Sequence, residues 1–202
     1  MGFLKHNYEI LCNTPSDINE HLPTLYRYSL DCNHITECGV RKAVSSYAFA
    51  LGLHGKADSK LIQVDVVKSD DVEGFADECE YDGVSTVFYE GSDLDCPMEE
   101  TDLLFIDTWH IYGQLKRELA RWHSYAKKYI ILHDTTVDGE EGESIRLGSN
   151  IVEQVEKSGF TEEEIRKGLW PAVEEFLAEH PTWILKERYT NNNGLTVLMR
   201  LS

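Results

Sequence analysis

The feature that most constrains the fold of this chain is a regular alternation of short apolar runs with longer helix-type patterns. The runs have the length of single strands, and the stretches between them carry apolar residues at helical spacing. This alternation predicts a parallel sheet covered by helices on both faces, because each connecting helix packs back onto the sheet. We expect strands at 34–37, 61–65, 86–89, 103–107, 129–133, 183–188 and 195–200, and helices at 15–29, 43–53, 70–80, 111–127 and 167–180.

The turn between the last two predicted strands is rich in asparagine. Residues 189–194 read Tyr-Thr-Asn-Asn-Asn-Gly, and Asn-Gly between apolar runs is a hairpin signal. The last strand should therefore run antiparallel, at the edge of the sheet. The sequence thus predicts an α/β fold of the Rossmann-like, doubly wound type, with a seven-stranded, mostly parallel sheet and an antiparallel last strand.

No repeat or linker divides the chain, so we expect a single domain over residues 1–202. Residues 1–30 precede the first strand and are predicted to form a helical extension, a candidate lid over a bound ligand. No apolar run approaches the roughly 20 residues of a membrane span, and the N-terminus lacks a secretory signal. We therefore expect a cytoplasmic protein with no membrane partner, whose five scattered cysteines are reduced.

The charge of the chain bears on its partners. A formal net charge of −17 arises from 36 acidic and 19 basic residues, and no basic cluster interrupts it. Such a surface repels phosphate backbones, so we expect no nucleic-acid partner. A small-molecule or glycan substrate is the better expectation, and the sequence leaves a homo-oligomer open.

Ligands of open α/β sheets bind beyond the carboxyl ends of the strands, so the residues that follow each strand are informative. After the first strand, Gly39 permits a tight turn and a close backbone approach to a ligand. The small side chains of Ala43 and Ser45 let the next helix pack close, with its N-terminus towards that ligand. A lone glycine after a strand is more often an ordinary turn.

The second and third strands end in further candidate contacts. Asp65 is placed to accept hydrogen bonds from both hydroxyls of a ribose, although a helix-capping or solvated aspartate is an equal alternative. Gly91 and Ser92 form a turn that either meets an adenine edge or is only a turn. Together, the three strand ends predict a nucleotide-type cofactor site.

Aspartate and histidine residues cluster at the ends of the fourth and fifth predicted strands. Asp107 ends one strand and is followed by His110, whereas His133 and Asp134 end the next. Adjacent strand ends lie about 5 Å apart, so Asp107, His133 and Asp134 are expected to form a divalent-metal site. His110 is expected to remove a proton from a substrate hydroxyl. A hydrogen-bonded structural histidine is the alternative, above all for His133, whose side chain has room to point away from Asp134.

These residues resemble those of class I S-adenosylmethionine (SAM) dependent methyltransferases. The similarity spans about residues 33–200, through the motifs ECGVRKAVS, YEGSD, LLFIDTWHIY, YIILHDTT and RYTNNNGLTVL. Within that group the chain is most similar to the metal-dependent macrolide-sugar O-methyltransferases and the cephalosporin-hydroxylase-type proteins. The resemblance implies a SAM-dependent O-methyltransferase acting on a hydroxyl of a sugar or another small molecule.

By position, the resemblance implies a role for each candidate residue. Glu37 and Gly39 correspond to the cofactor loop and Asp65 to the ribose-binding acid. Asp107 and Asp134 correspond to magnesium ligands, with Asp107 also at the reaction centre, and His110 corresponds to the catalytic base.

Two departures from the family pattern stand out. Ala43 occupies a position where glycine is frequent, and His133 replaces a Glu or Asp. An imidazole favours Mn²⁺, Fe²⁺ or Zn²⁺ over the hard Mg²⁺, so the sequence leaves the metal open between Mg²⁺ and Mn²⁺.

Two other functions fit parts of the sequence. A dinucleotide-dependent oxidoreductase is disfavoured because the chain has no GxGxxG motif and ends in an antiparallel hairpin. A catalytically idle methyltransferase-like binding subunit is disfavoured by the intact set of Asp107, His110 and Asp134. The acidic loop 137–143 either contributes to the acceptor wall or is simply solvated.

Overall fold

A computed structural model describes residues 2–201 of the chain. Its seven strands form one sheet, and nine α-helices and a short 3₁₀ helix at Asn19–His21 surround it among these residues. The strands are β1 His34–Cys38, β2 Lys60–Asp65, β3 Ser85–Glu90, β4 Thr101–Ile106, β5 Ala126–His133, β6 Trp183–Tyr189 and β7 Leu195–Arg200. The helices are α1 Phe3–Asn13, α2 Leu22–Ser29, α3 Val44–Leu53, α4 Asp70–Tyr81, α5 Tyr112–Trp122, α6 Glu143–Arg146, α7 Ile151–Ser158, α8 Glu162–Arg166 and α9 Trp170–Glu179.

The strand order is β3-β2-β1-β4-β5-β7-β6, which confirms the predicted doubly wound sheet. Strands β1 to β5 pair in parallel, and β7 pairs antiparallel with both β5 and β6. The last strand is therefore antiparallel as predicted, but it lies between β5 and β6 rather than at the edge. The order reverses between β1 and β4, the place where ligands of such sheets bind.

The apolar residues of the inner strands alternate between two cores, because successive side chains point to opposite faces of a sheet. In β4, Leu103 and Phe105 pack with Phe49 of α3 and its neighbours. Leu104 and Ile106 pack on the other face with Leu115 of α5 and its neighbours. Helices thus cover both faces, as the alternation in the sequence predicts.

Several helix boundaries differ from the prediction. The helix expected at 15–29 begins only at Leu22, because Pro23 in its first turn favours a helix start and cannot lie in a helix interior. The helix expected at 111–127 ends at Trp122, since Ala126 already pairs with Thr101 of β4. Helix α1 lies within the helical extension predicted for residues 1–30, whereas the short helices α6, α7 and α8 were not predicted.

Two structural observations concern the cysteines and the possibility of a membrane-spanning helix. All five cysteines are free thiols, and four of them are buried. Within residues 2–201, no helix combines the length and the apolar character needed to cross a membrane.

Candidate functional site

The loop between β1 and α3 has an unusual backbone. Gly39, Arg41 and Ala43 all have positive φ angles, of 87°, 46° and 59°. Residues other than glycine rarely adopt positive φ angles, because their Cβ then lies too close to the following carbonyl oxygen. Position 39 also leaves no space for a side chain, since a Cβ there would lie 1.9 Å from the carbonyl oxygen of Asp107. The loop therefore has a backbone conformation that is typical of glycine, although two of these three positions carry side chains.

Asp65, at the end of β2, holds this loop in place. Its Oδ2 accepts hydrogen bonds from the backbone N–H groups of Val40 (2.7 Å) and Arg41 (2.8 Å). Its Oδ1 receives only a long contact from Val67 N–H, at 3.4 Å. One carboxylate oxygen of Asp65 thus shapes the loop, and the other makes only this long contact.

A cavity of about 340 Å³ opens beside this loop at the carboxyl ends of the strands; we call it the larger cavity. It brings together five of the predicted cofactor residues, from four successive strand ends. Those residues are Gly39, Asp65, Gly91, Ser92 and Asp107. The wall also includes the aromatic side chain of Trp109, which the prediction did not include.

A second cavity of about 210 Å³, the smaller cavity, lies on the other side of the same loop. Ser45 of α3 lines it, together with Asp17 from the N-terminal extension. Gly39, Arg41 and Asp107 line both cavities and form their common wall. The predicted cofactor residues are therefore distributed over two neighbouring spaces.

Glu37 belongs to a polar layer beneath this loop. It is fully buried under the loop and lines neither cavity. Its carboxylate accepts hydrogen bonds from the hydroxyls of Ser45 and Ser46, both at 2.5 Å, and from the amide of Gln63 at 3.3 Å. Burial raises the pKa of Glu37 to about 7, although these three donors oppose the shift. Glu37 supports the loop from below.

Sequence reasoning missed a polar network at the floor of the larger cavity. The Gln114 amide donates to Asp93 Oδ1 (3.2 Å) and to Glu118 Oε1 (2.8 Å), and Thr108 donates to the same Glu118 oxygen. Burial raises the pKa of both carboxyl groups. The sequence does indicate Asp93, because this residue directly follows Gly91 and Ser92. The sequence does not indicate its partner Glu118, which lies in the middle of a helix.

The ends of β4 and β5 bring together Asp107, His110, His133 and Asp134, which we call the Asp-His cluster. Asp107 Oδ1 lies 3.1 Å from His110 Nε2 and 3.2 Å from His133 Nδ1. Asp134 Oδ2 lies 3.2 Å and 3.4 Å from the same two nitrogens. Both imidazoles thus approach the same pair of carboxylate oxygens. All four predicted residues converge, as the strand ends indicated.

The outer nitrogens of the two imidazoles each face a further oxygen. His110 Nδ1 lies 3.2 Å from Asp138 Oδ2 without making a hydrogen bond of good geometry, and Asp138 is fully buried and ion-paired with Arg146. His133 Nε2 lies 3.3 Å from the backbone carbonyl oxygen of Asn192, in the turn between β6 and β7. Such outer contacts fix the ring orientation of metal-binding histidines. Asp138 and Asn192 were not predicted.

The charges within the cluster depend strongly on one another. Burial works to raise the pKa of Asp107, but His133 and His110 outweigh it and hold that pKa well below its usual range. Burial works to lower the pKa of both imidazoles, but the facing carboxylates raise the pKa of His133 to about 10 and that of His110 well above its usual value. These carboxylates therefore require positive charge beside them.

The cluster fits a divalent cation. The donor atoms of Asp107, His110 and Asp134 lie within 4.8 Å of one another. Ligands bound about 2.1 Å from one ion are separated by roughly 3.0–3.4 Å, the range of the carboxylate–imidazole distances here. Asp134 Oδ1 is buried with no hydrogen-bond partner among the described residues, and Asp134 has a strained φ of 56°. Such strain concentrates at functional sites.

Comparisons with solved structures identify proteins of the same fold. The chain is similar to an O-methyltransferase from Bacillus cereus in complex with S-adenosylhomocysteine (SAH), with 13% identity, 98% and 90% of the two chains covered and a TM-score of 0.62. It is similar to a Streptomyces achromogenes O-methyltransferase of tomaymycin synthesis in complex with SAM (13%, 98% and 89%, 0.61). It is also similar to an SAH-bound methyltransferase from Podospora anserina (13%, 98% and 88%, 0.60).

No protein-family model matches the sequence, and a search of curated proteins found no match. The structural likeness extends over almost the whole chain at low sequence identity. It shows that the chain has the fold of class I SAM-dependent methyltransferases.

Proposed function

We propose that this protein is a SAM-dependent O-methyltransferase that uses a divalent cation and methylates a hydroxyl of a small molecule. The observation that carries the proposal is the shared position of Asp107. This residue lines both cavities beside the β1–α3 loop and also belongs to the Asp-His cluster. The side chain of Asp107 thus connects cavities of a size that suits a cofactor with the Asp-His cluster, whose residue types are common metal ligands.

The larger cavity is suited to the adenosine part of the methyl donor. Asp65 offers its free carboxylate oxygen to the ribose hydroxyls, and Gly91 and Ser92 border the space for the base. Trp109 supplies an aromatic wall, which favours a flat heterocycle. Solved structures with this fold include SAM and SAH complexes, which supports the same choice of donor.

Asp107 and Asp134 would hold the cation between their facing oxygens, with His133 as the deeper nitrogen donor. His133 is 1% exposed, and its Nε2 lies 3.3 Å from the Asn192 carbonyl oxygen, which would accept the Nε2 proton. Binding of the cation would then release the Nδ1 proton, so that the Nδ1 lone pair becomes a ligand. A bound divalent cation would lower the pKa of an acceptor hydroxyl and stabilise its charge. The imidazole favours Mn²⁺ or a similar ion over Mg²⁺.

A cation bound by Asp107 and Asp134 would neutralise the charge that raises the pKa of His110, and His110 would then take the proton of the acceptor hydroxyl at Nε2. Its side chain is 12% exposed, so it is the more accessible of the two imidazoles. Asp107 and Asp134 stabilise the proton once it is held there, and Asp138 orients the ring from the other side. The acceptor oxygen is then free to attack the methyl carbon in line with the departing sulfur.

The charge of the protein favours a small or sugar-like acceptor over a nucleic acid, because its formal net charge is −17. A sugar hydroxyl is also the acceptor that the sequence resemblance implies.

The test is methyl transfer under defined metal conditions. The purified protein is incubated with SAM and pooled sugars or phenols, and SAH formation is measured with Mn²⁺, Mg²⁺ or EDTA. We expect metal-dependent SAH formation that falls by about 100-fold or more in His110→Ala, the scale of lost general base catalysis. Loss of turnover with retained Mn²⁺ binding supports the base role, whereas loss of Mn²⁺ binding makes His110 a ligand. Absence of turnover with every acceptor and metal would favour an idle binding subunit.

A further inference from the structure

The β6–β7 turn is held on two sides, by the N-terminal extension and by the segment that follows β5. Asn192 in this turn has a left-handed backbone (φ 44°), which asparagine tolerates better than most residues. Its side-chain amide donates to the carbonyl oxygen of Ser16 (2.8 Å), and its side-chain oxygen accepts from the backbone N–H of Glu20 (3.0 Å). On the other side, the backbone N–H of Thr136 donates to the carbonyl oxygen of Asn193 (3.0 Å). The turn thus connects the N-terminal extension with the chain beside the Asp-His cluster.

His21 of the N-terminal extension is buried in this contact. It is 1% exposed, and its Nε2 lies 3.0 Å from the carbonyl oxygen of Asn191 and 3.1 Å from that of Asn192. Two carbonyl oxygens so close to one nitrogen require that nitrogen to carry a proton, because a lone pair there would repel both. The Nε2–H group of His21 therefore donates to the turn.

The carbonyl oxygen of Asn192 is shared by two imidazoles. His133 Nε2 lies 3.3 Å from the same oxygen, and the rings of His21 and His133 meet edge to face with their centres 5.8 Å apart. A carbonyl oxygen has two lone pairs, so it accepts from both rings. The contact with His21 therefore helps to fix the position of an oxygen that His133 also uses.

The shared oxygen matters for the chemistry of His133. A metal-binding imidazole is neutral, with a proton on one nitrogen and the ligand lone pair on the other, and the hydrogen bond at the protonated nitrogen selects the arrangement. An oxygen held at Nε2 keeps the proton there and leaves the lone pair to Nδ1, which lies 3.2 Å from Asp107 Oδ1. The same contact fixes the orientation of the ring.

We propose that His21 is a positioning residue for the metal site: it holds the Asn192 carbonyl oxygen at His133 Nε2, so that His133 Nδ1 binds the cation. This inference rests on the proposed function, since it takes the Asp-His cluster as the cation site. It makes the N-terminal extension a structural part of that site. An N–H donor at position 21 is then needed for full metal affinity.

The test compares two substitutions of His21 in the full-length protein. His21→Phe keeps a ring but removes the N–H donor, whereas His21→Gln keeps an amide donor. Mn²⁺ affinity is measured by electron paramagnetic resonance, and thermal unfolding is recorded for each variant. His123→Phe is the matched control, because its Nδ1 also faces a backbone carbonyl oxygen, that of Leu119 at 2.8 Å, but at the end of α5 remote from the cluster.

His21→Phe is also combined with His133→Asp, which removes the imidazole that uses the shared oxygen but keeps an oxygen ligand for Mn²⁺. We expect His21→Phe alone to lose about tenfold in Mn²⁺ affinity, the lower end of the effect of outer contacts on metal sites. His21→Gln and His123→Phe should bind Mn²⁺ nearly as well as the unmodified protein. In the His133→Asp background, His21→Phe should cause no further loss, because the two residues act through one contact.

Unchanged Mn²⁺ affinity in His21→Phe overturns the positioning role. An equal loss with and without His133→Asp also overturns it, because a general weakening of the fold would lower affinity in both backgrounds. Equal losses in His21→Phe and His21→Gln have the same consequence, since the donor would then be irrelevant. In all three cases, Mn²⁺ binding by the unmodified protein leaves the proposed function standing. If the unmodified protein binds no Mn²⁺, the metal-dependent part of the proposed function fails together with this inference.

Discussion

Gly39 and Asp107 are packed back to back, so that a Cβ on Gly39 would lie 1.9 Å from the carbonyl oxygen of Asp107. Gly39 belongs to the β1–α3 loop, and Asp107 belongs to the Asp-His cluster. Any displacement of one therefore moves the other. The proposed donor site and the proposed metal site are built on one rigid contact between two strand ends.

Replacing Gly39 with Ala should disrupt both sites. The left-handed backbone alone costs about 1–2 kcal/mol for a residue with a Cβ, and the clash must displace Asp107 in addition. We expect SAH affinity to fall by about tenfold or more, as a loss of 1.4 kcal/mol would give. Calorimetric titration measures this loss, and thermal unfolding measures the cost to stability.

Gly55→Ala is the matched control for Gly39→Ala. Gly55 also has a positive φ, of 77°, but a Cβ there has nothing within 4 Å. It should lose stability and keep normal SAH binding. Equal SAH binding by the two variants would contradict the close contact with Asp107.

Replacing Asp134 with Asn should abolish metal binding while preserving the backbone. Asparagine tolerates the left-handed conformation that Asp134 adopts, so the variant removes mainly the charge. We expect Mn²⁺ affinity, measured by electron paramagnetic resonance, to fall by about 100-fold or more, because even outer-shell changes cost about 10–100-fold. Glu163→Gln is the control, since its side chain is 84% exposed. Unchanged Mn²⁺ binding by Asp134→Asn would exclude the Asp-His cluster as the metal site.

The imidazole of His133 should set the choice of metal. His133→Asp replaces a borderline donor with a hard oxygen, which favours Mg²⁺ relative to Mn²⁺. We expect the ratio of Mn²⁺ to Mg²⁺ affinity to fall by about tenfold, which corresponds to 1.4 kcal/mol of differential binding. Competition titrations with the two ions measure the ratio. A ratio equal to that of the unmodified protein would show that His133 is not a ligand.

Glu37 should make the stability of the protein depend on pH. Its pKa is about 7 in the folded state against an ordinary value of 4.5. The folded state therefore keeps a proton that the unfolded chain loses, so the free energy of unfolding falls as pH rises from about 4.5 to 7. The full loss from this group is about 3 kcal/mol, at 1.36 kcal/mol per pKa unit.

Glu37→Gln should remove this contribution, because an amide does not titrate; its oxygen accepts from one of the two serine hydroxyls and its NH2 group donates to the other. Urea unfolding at pH 5 and pH 8 should show a smaller loss of stability in the variant than in the unmodified protein. The raised pKa values of Asp93 and Glu118 affect both proteins alike, so the difference isolates Glu37. Parallel pH profiles would contradict a raised pKa at Glu37.

Much of the fold was predictable because the inner strands, such as β1 and β4, are apolar runs that are buried on both faces. The alternation of Leu103 to Ile106 between the two cores is one example of this simple pattern. The position of β7 inside the sheet was not predictable, since a hairpin signal specifies strand direction and not sheet order. Short helices such as α6 lack a periodic pattern long enough to detect.

The candidate site was predictable where its residues end a strand or directly follow one. Asp65, Asp107 and Asp134 are of this kind, because parallel strands end at one edge of the sheet. Asn192 and Asp17 were not, since they approach the site from distant segments of the chain. Glu37 also lies near the end of a strand, but its side chain is fully buried, and the sequence motif alone does not show this burial.

The most direct test of SAM binding is calorimetric titration of the purified protein with SAM and SAH, in the presence of Mg²⁺, Mn²⁺ or EDTA. We expect both compounds to bind with a Kd in about the micromolar range, or −8.2 kcal/mol at 1 μM. Absence of binding under every metal condition would contradict this expectation, and the two cavities beside Gly39 would then require a different ligand.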